Sequence, residues 1–294
     1  MLDFRAITPE CCDIYNKYRQ KDIINASEAA YLTLLMWNSY YNLEYAQNGE
    51  FFFLRFNIKG KAPSYMFPIG RGDLKKALDE LSDYSHKRGE KVVFRLVTKE
   101  NMQKIKMLYG ERFCIEESRD TFDYVYFTEK MISLSGKKLH SKRNHLNYFI
   151  DNYKFEYVSV DTPELLFKCA QKAYKLVDAK TKNKNPYEKG AMESYFENYF
   201  SFNQRGGAIL IGGEVCAMSF GQRLTDDTAL IQIELADENY RGAYQAINKL
   251  FCENEWKECM YINREEDMGI EGLRHAKMSY NPAFYVEKYY IWEE

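Results

Sequence analysis

A candidate base and a candidate anion-binding corner stand a few residues apart in the run TALIQIELADENYRGAYQAINKLF, residues 228–251. Alternation over residues 229–236 puts Ala229, Ile231, Ile233 and Leu235 on one side of a strand and Leu230, Gln232, Glu234 and Ala236 on the other. A desolvated Glu234 on that polar face would have a raised pKa and could take a proton from an attacking amine; beside a cation it is an ion pair instead. The strand breaks at Arg241-Gly242-Ala243, and Ile247, Leu250 and Phe251 then recur at helical spacing. A helix starting near Ala243 leaves its first amides without intrahelical partners, and with the helix dipole behind them and Arg241 beside them they suit a pyrophosphate. The alternative is an ordinary strand-to-helix connection with Arg241 in solvent.

Two basic constellations accompany this run. Residues 134–150, LSGKKLHSKRNHLNYFI, hold Lys137, Lys138, Lys142, Arg143, His140 and His145 ahead of any acid. In a helix, Leu139, Leu146 and Ile150 form an apolar stripe that contains Arg143. A guanidinium facing a core needs a carboxylate, a phosphate or a ring of carbonyls, so Arg143 makes an interdomain salt bridge, binds an anion or escapes to solvent. Lys137, Lys138 and Lys142 suit a wet face or a surface for a polyanion such as RNA or acidic lipid headgroups. In the second constellation, NREEDMGIEGLRHAKMSYNP at residues 263–282, a helix from about Gly269 puts Arg274 and Lys277 on one side with Ile270 and Leu273. These cations either pair internally with Asp267 or Glu271 or hold a ligand carboxylate or phosphate. At Gly70-Arg71-Gly72-Asp73, Asp73 is an N-cap that would repel phosphate, so structure outweighs anion binding there. The four histidines lack metal-ligand spacing, so no metal site is expected, and no Ser or Cys sits in a nucleophile elbow.

The elements that must position these residues alternate between helix and strand in both halves. The first half has strand-like runs at 50–57, 64–69 and 92–98, with a helix from Asp73 between the last two. The second half repeats the grammar, with helices at 162–177 and about 188–200 and strands at 208–211, 215–224, 228–236 and 260–263. The fold class expected is α/β with mixed sheets, in two domains at 1–130 and 151–294 joined by a basic helical segment at 131–150. A length of 294 residues gives each domain its own core. A net charge of −2 argues against a cation-coated nucleic-acid binder but leaves room for a local patch. Seven cysteines without a C-x-x-C pair read as reduced thiols, hence a cytoplasmic protein. The longest apolar stretch, around 29–37, falls well short of the ~20 residues that span a bilayer, so no transmembrane segment is expected.

Residues 239–246, the strand ending at Asn263 and the helix through residues 273–280 together resemble the core of a GNAT-type acyltransferase. More closely, LSGKKLHSKRNHLNYF and INREEDMGIEGLRHAKMSYNP resemble a bacterial family of uncharacterised proteins grouped with the C-terminal catalytic region of phosphatidylglycerol lysyltransferase. The resemblance covers nearly the whole chain. It implies two GNAT-like folds in tandem, an arrangement similar to the Fem-type peptidyltransferases that use aminoacyl-tRNA. By this likeness Asn239, Tyr240, Arg241, Gly242, Ala243, Tyr244 and Gln245 form the donor phosphate loop beside Asn263, with Tyr244 and Gln245 where the superfamily carries its second glycine. Matching AKMSY to the superfamily's terminal segment puts His275 where a tyrosine often serves as general acid. The function implied is transfer of an acyl or aminoacyl group from acyl-CoA to a small-molecule amine. The alternatives are an aminoacyl-tRNA donor with tRNA as partner, or a non-catalytic ligand-binding module. The membrane-embedded part of the lipid lysyltransferases is absent, so lipid lysylation is not implied.

Overall fold

The computed structural model describes residues 2–19, 25–179 and 185–294. The chain divides into two compact units, Met1–Phe122 with Val286–Glu294, and Asp123–Tyr285. This differs from the boundaries expected at 130 and 151. The basic segment is part of the second unit, and the last strand returns to the first.

In the first unit the sheet runs Arg5–Ala6, Leu43–Gln47, Phe51–Phe56, Ser64–Tyr65, Val93–Thr98, Lys288–Glu293, Phe113–Glu117, with Ile69–Gly70 paired to Phe51–Phe56 off this path. Lys288–Glu293 lies antiparallel between Val93–Thr98 and Phe113–Glu117. Charge and apolar burial both fix it there: Lys288 is fully buried with its Nζ 2.7 Å from Glu28, and Ile291 packs with Phe51, Phe94 and Leu81. Asp73 accepts from the Lys76 amide and caps Leu74–His86, while the Glu50 carboxylate packs on Gly72, so that corner serves structure.

The second unit has a seven-stranded sheet ordered Phe284–Val286, Asp123–Phe127, Tyr261–Asn263, Thr228–Ala236, Glu214–Arg223, Arg205–Ile211, Phe155–Ser159. A basic helix, His140–Asn152, packs against a central helix, Ala243–Glu255. Along the central strand, Thr228–Ala236, the register against Glu214–Arg223 steps from Phe220↔Ile233 to Gly221↔Ile231, which leaves Gln232 as the extra residue of a bulge. The bulge overturns the expected alternation. Ala229, Ile231 and Ala236 enter the core under the central helix, and Glu234 shares their face. No helix among the described residues is long and apolar enough to cross a membrane. All seven cysteines are free thiols.

Candidate functional site

The central strand pairs in parallel with Tyr261–Asn263 over three positions only, Thr228↔Tyr261, Ala229↔Ile262 and Leu230↔Asn263. The ladder stops at Leu230, where the shorter strand ends, and the next residue of that chain segment, Arg264, pairs with the central strand by charge. Glu234 Oε1 accepts from Arg264 Nη2 at 2.6 Å, and its Oε2 accepts from Asn248 Nδ2 of the central helix at 2.8 Å. Both charged side chains are nearly enclosed, at 13% and 12% exposure. Burial pulls the Arg264 pKa down, but Glu234, Tyr126, Tyr280 and Cys252 together reverse this, and the guanidinium is held above its ordinary value. Glu234 is therefore an ion-paired carboxylate with both oxygens engaged, one of the two forms its position allowed.

Three rings complete the cluster. The Arg264 guanidinium lies 5.7 Å from the Tyr126 ring and 5.0 Å from that of Tyr280. Lys142 Nζ, from the basic helix, sits 4.4 Å over the same Tyr280 ring and is half-buried. Burial and the Arg264 charge lower the Lys142 pKa against an opposing pull from Glu234. Burial raises the Tyr280 phenol, which the Gln245 side chain reaches. Arg264 Nη1 and Asn248 Oδ1 are buried and make no hydrogen bond among the described residues. In a protein interior such groups are ordinarily satisfied by a protein group or an ordered water.

The loop expected to hold the donor phosphate packs closely on one side. Gly242 has φ +91°, and a Cβ there would meet the His145 carbonyl oxygen at 2.2 Å and Phe149 Cβ at 3.0 Å. The basic helix thus packs against this corner, and a carbonyl oxygen already faces it. Arg241 is exposed and stacks 4.4 Å over the Tyr148 ring, while Tyr240 packs edge-on against Tyr153 at 5.3 Å. Asn239 donates to Asp237, whose other oxygen holds Lys172 at 2.6 Å, and the Ala243 amide donates to the Tyr240 carbonyl. Tyr244 is half-buried against the core. The Gly242 side of the loop is filled by the basic helix. Gly242→Ala is expected to cost about 1–3 kcal/mol, from a strained φ and a backbone clash. Urea unfolding reads this, and an unchanged midpoint would contradict the packing.

The other expected site residues take up structural duties. Arg143 donates through Nη1 to the carbonyls of Leu134 and Gly136, the latter at 2.8 Å, and makes no ion pair with a carboxylate among the described residues. Lys138 bonds Asn281 Oδ1 at 2.9 Å in an exposed position. Arg274 forks onto Asp267 through Nε and Nη2, both at 2.8 Å, which is the internal pairing. Lys277 is buried with its ammonium on the carbonyls of Arg264, Glu265 and Glu266 at 2.5, 3.1 and 2.5 Å, and burial pushes its pKa down to about 8. Asn263 donates to Asp123 at 3.0 Å and accepts from the Glu265 amide. Gln232 is buried at the bulge. His275 is exposed on Glu271–Met278, whereas Lys277 and Tyr280 beyond it turn inward, so the geometry does not bring the expected acid to Glu234.

Of the residues singled out, Glu234, Lys142 and Gln245 converge. Arg264, Asn248, Tyr126 and Tyr280 escaped sequence reasoning. Arg264 is followed directly by Glu265, Glu266 and Asp267, so its charge looked locally balanced; only the left-handed Glu265, at φ +55°, and the clamp of Lys277 turn those acids away.

The model of the phosphatidylglycerol lysyltransferase C-terminal family matches residues 23–292. The chain belongs to that family. Among solved structures, a conserved protein of unknown function from Bacteroides thetaiotaomicron is 30% identical, with a TM-score of 0.92 and complete coverage of both chains. The L-PGS structure from Bacillus licheniformis aligns at TM-score 0.71 over 98% of this chain and 93% of the other, at 14% identity. A tandem GNAT protein from the clavulanic acid biosynthesis pathway aligns at 0.50 over 100% and 98%, at 9% identity. These last two show the fold, which is tandem GNAT-like. A Mycoplasmoides gallisepticum protein, itself uncharacterised, is 27% identical over 181 residues, and the match spans 57% of that relative and 60% of this chain.

Proposed function

We propose that the second unit moves an aminoacyl group from the ester of a charged tRNA to an amine. The observation that carries this is the enclosed Glu234–Arg264 pair just past the end of the parallel ladder, with Arg264 Nη1 buried and without a hydrogen bond among the described residues. An aminoacyl ester presents an ammonium beside a carbonyl. Arg264 Nη1 suits the oxyanion that develops on the second, and Glu234 holds that guanidinium in place. Once the amine is held near the carbonyl, orientation can remove roughly 7–11 kcal/mol of barrier, so no enzyme nucleophile is required.

The donor is chosen by the loop. Acyl-CoA needs a pyrophosphate grip, and the Gly242 side of the loop is taken by the basic helix. That helix and the turn before it instead offer exposed Lys137, Lys138 and His140, and the Arg241–Tyr148 stack lies on the same helix, which suits the backbone and bases of an RNA end. Filter binding tests the choice. Lysyl-tRNA should be retained at low salt and released steeply as salt rises, while calorimetry with acetyl-CoA gives no heat. Acetyl-CoA binding that weakens in Arg241→Ala, with no tRNA retained, would reverse the assignment.

A further inference from the structure

Lys142 is the cation of the cluster that makes no ion pair and no hydrogen bond among the described residues. The groups around it come from five elements. The Tyr280 ring lies beneath its Nζ at 4.4 Å, and the Arg264 guanidinium lies against the same ring at 5.0 Å. Glu234 of the central strand is committed to Arg264 and Asn248. Gln245 of the central helix reaches the Tyr280 hydroxyl, and Tyr126 of Asp123–Phe127 flanks Arg264. On its own helix Arg143 turns back to the Leu134 and Gly136 carbonyls, and in the turn before it Lys138 goes to Asn281. A half-buried amine beside a second cation, with the nearest carboxylate committed to that cation, gives up its proton more readily than one in water.

Building on the transferase function proposed above, we infer that Lys142 is the proton acceptor of the transfer step. Its neutral Nζ takes one proton from the attacking amine nitrogen as the C–N bond forms. It returns that proton to the ester oxygen as the C–O bond to the tRNA breaks. Amine and ester become amide and alcohol, and Lys142 ends neutral, as it began. Glu234, the base expected from the strand pattern, keeps its charge throughout and holds Arg264. Burial and Arg264 lower the Lys142 pKa, in the direction this role requires.

Two experiments on the full chain decide it. In the first, trace acetic anhydride labels the protein across a pH series, and peptide mass spectrometry follows each lysine. Lys142 should gain reactivity at lower pH than the exposed Lys137 and Lys138; in Glu234→Gln its midpoint should fall further, and in Arg264→Gln it should rise. Co-titration of Lys142 with Lys137 in the native protein overturns the role. In the second, lysyl-tRNA is the donor and a small primary amine the acceptor. Lys142→Arg keeps the charge but cannot give up its proton at neutral pH, so kcat should fall by about 10²–10⁴-fold with KM little changed. Added alkylamines should restore part of the rate to Lys142→Ala in proportion to their basicity, a response that a purely structural lysine would not give. Full kcat in Lys142→Arg sinks the Lys142 role alone, whereas absence of transfer by the native protein sinks the transferase function and this role with it.

Discussion

Arg264→Met is expected to destabilise the second unit by about 3–5 kcal/mol and to cut transfer by about 10²–10³-fold. The stability loss comes less from the bond removed than from the charge left behind. Glu234 would remain enclosed with only Asn248 as a partner, where water cannot replace the guanidinium. The double variant Arg264→Met with Glu234→Gln removes both charges and should regain much of that stability while staying inactive, because no donor faces the developing oxyanion. Urea unfolding and single-turnover transfer read the two quantities separately. A double variant no more stable than Arg264→Met would show that the pair is not the source of the loss. Transfer at the native rate in either variant would remove Arg264 from the chemistry.

Asp267→Asn should have the second-largest effect, about 3 kcal/mol, with loss of activity arising from the displaced Arg264 loop. Asp267 is fully buried and accepts from Arg274 twice, from the Tyr124 hydroxyl at 2.5 Å and from the Gly269 amide at 2.9 Å. Burial alone would raise its carboxyl pKa, but these donors together hold it below its ordinary value of 3.8. A depressed pKa in the folded state means that the carboxylate's contribution is complete above about pH 4 and is lost as pH falls through the folded value. The native protein should therefore lose stability in that acid window relative to Asp267→Asn. Parallel curves for the two proteins between pH 5 and pH 2 would contradict the assignment. Arg274 is one-third exposed, so solvent screens part of its pull, which sets the figure at the lower end of the range for a broken buried pair. The loop it secures holds two non-glycine residues at positive φ, Glu265 and Met268, and such strain persists only where the surroundings enforce it.

Local pattern determined a good deal. The strand at 228–236, the helix after it, the Asp73 cap and the pairing of Arg274 with Asp267 all arise from residue periodicity and short-range chemistry, which act over one or two turns of chain. Carbonyl partners for Arg143 were among the outcomes a core-facing guanidinium permits. What stayed out of reach depends on contacts distant in sequence. A single bulge at Gln232 inverts the second half of the central strand, and no period-two pattern announces a bulge. The return of Lys288–Glu293 to the first unit is decided by Glu28, some 260 residues earlier, offering a charge to a buried lysine. Arg264 reaches Glu234 because the shorter parallel strand ends after three paired residues, and Lys142 owes its setting to five other elements around Tyr280. Side-chain chemistry was written in the chain; which charges would be enclosed together, and which left with an unused donor, was settled by packing.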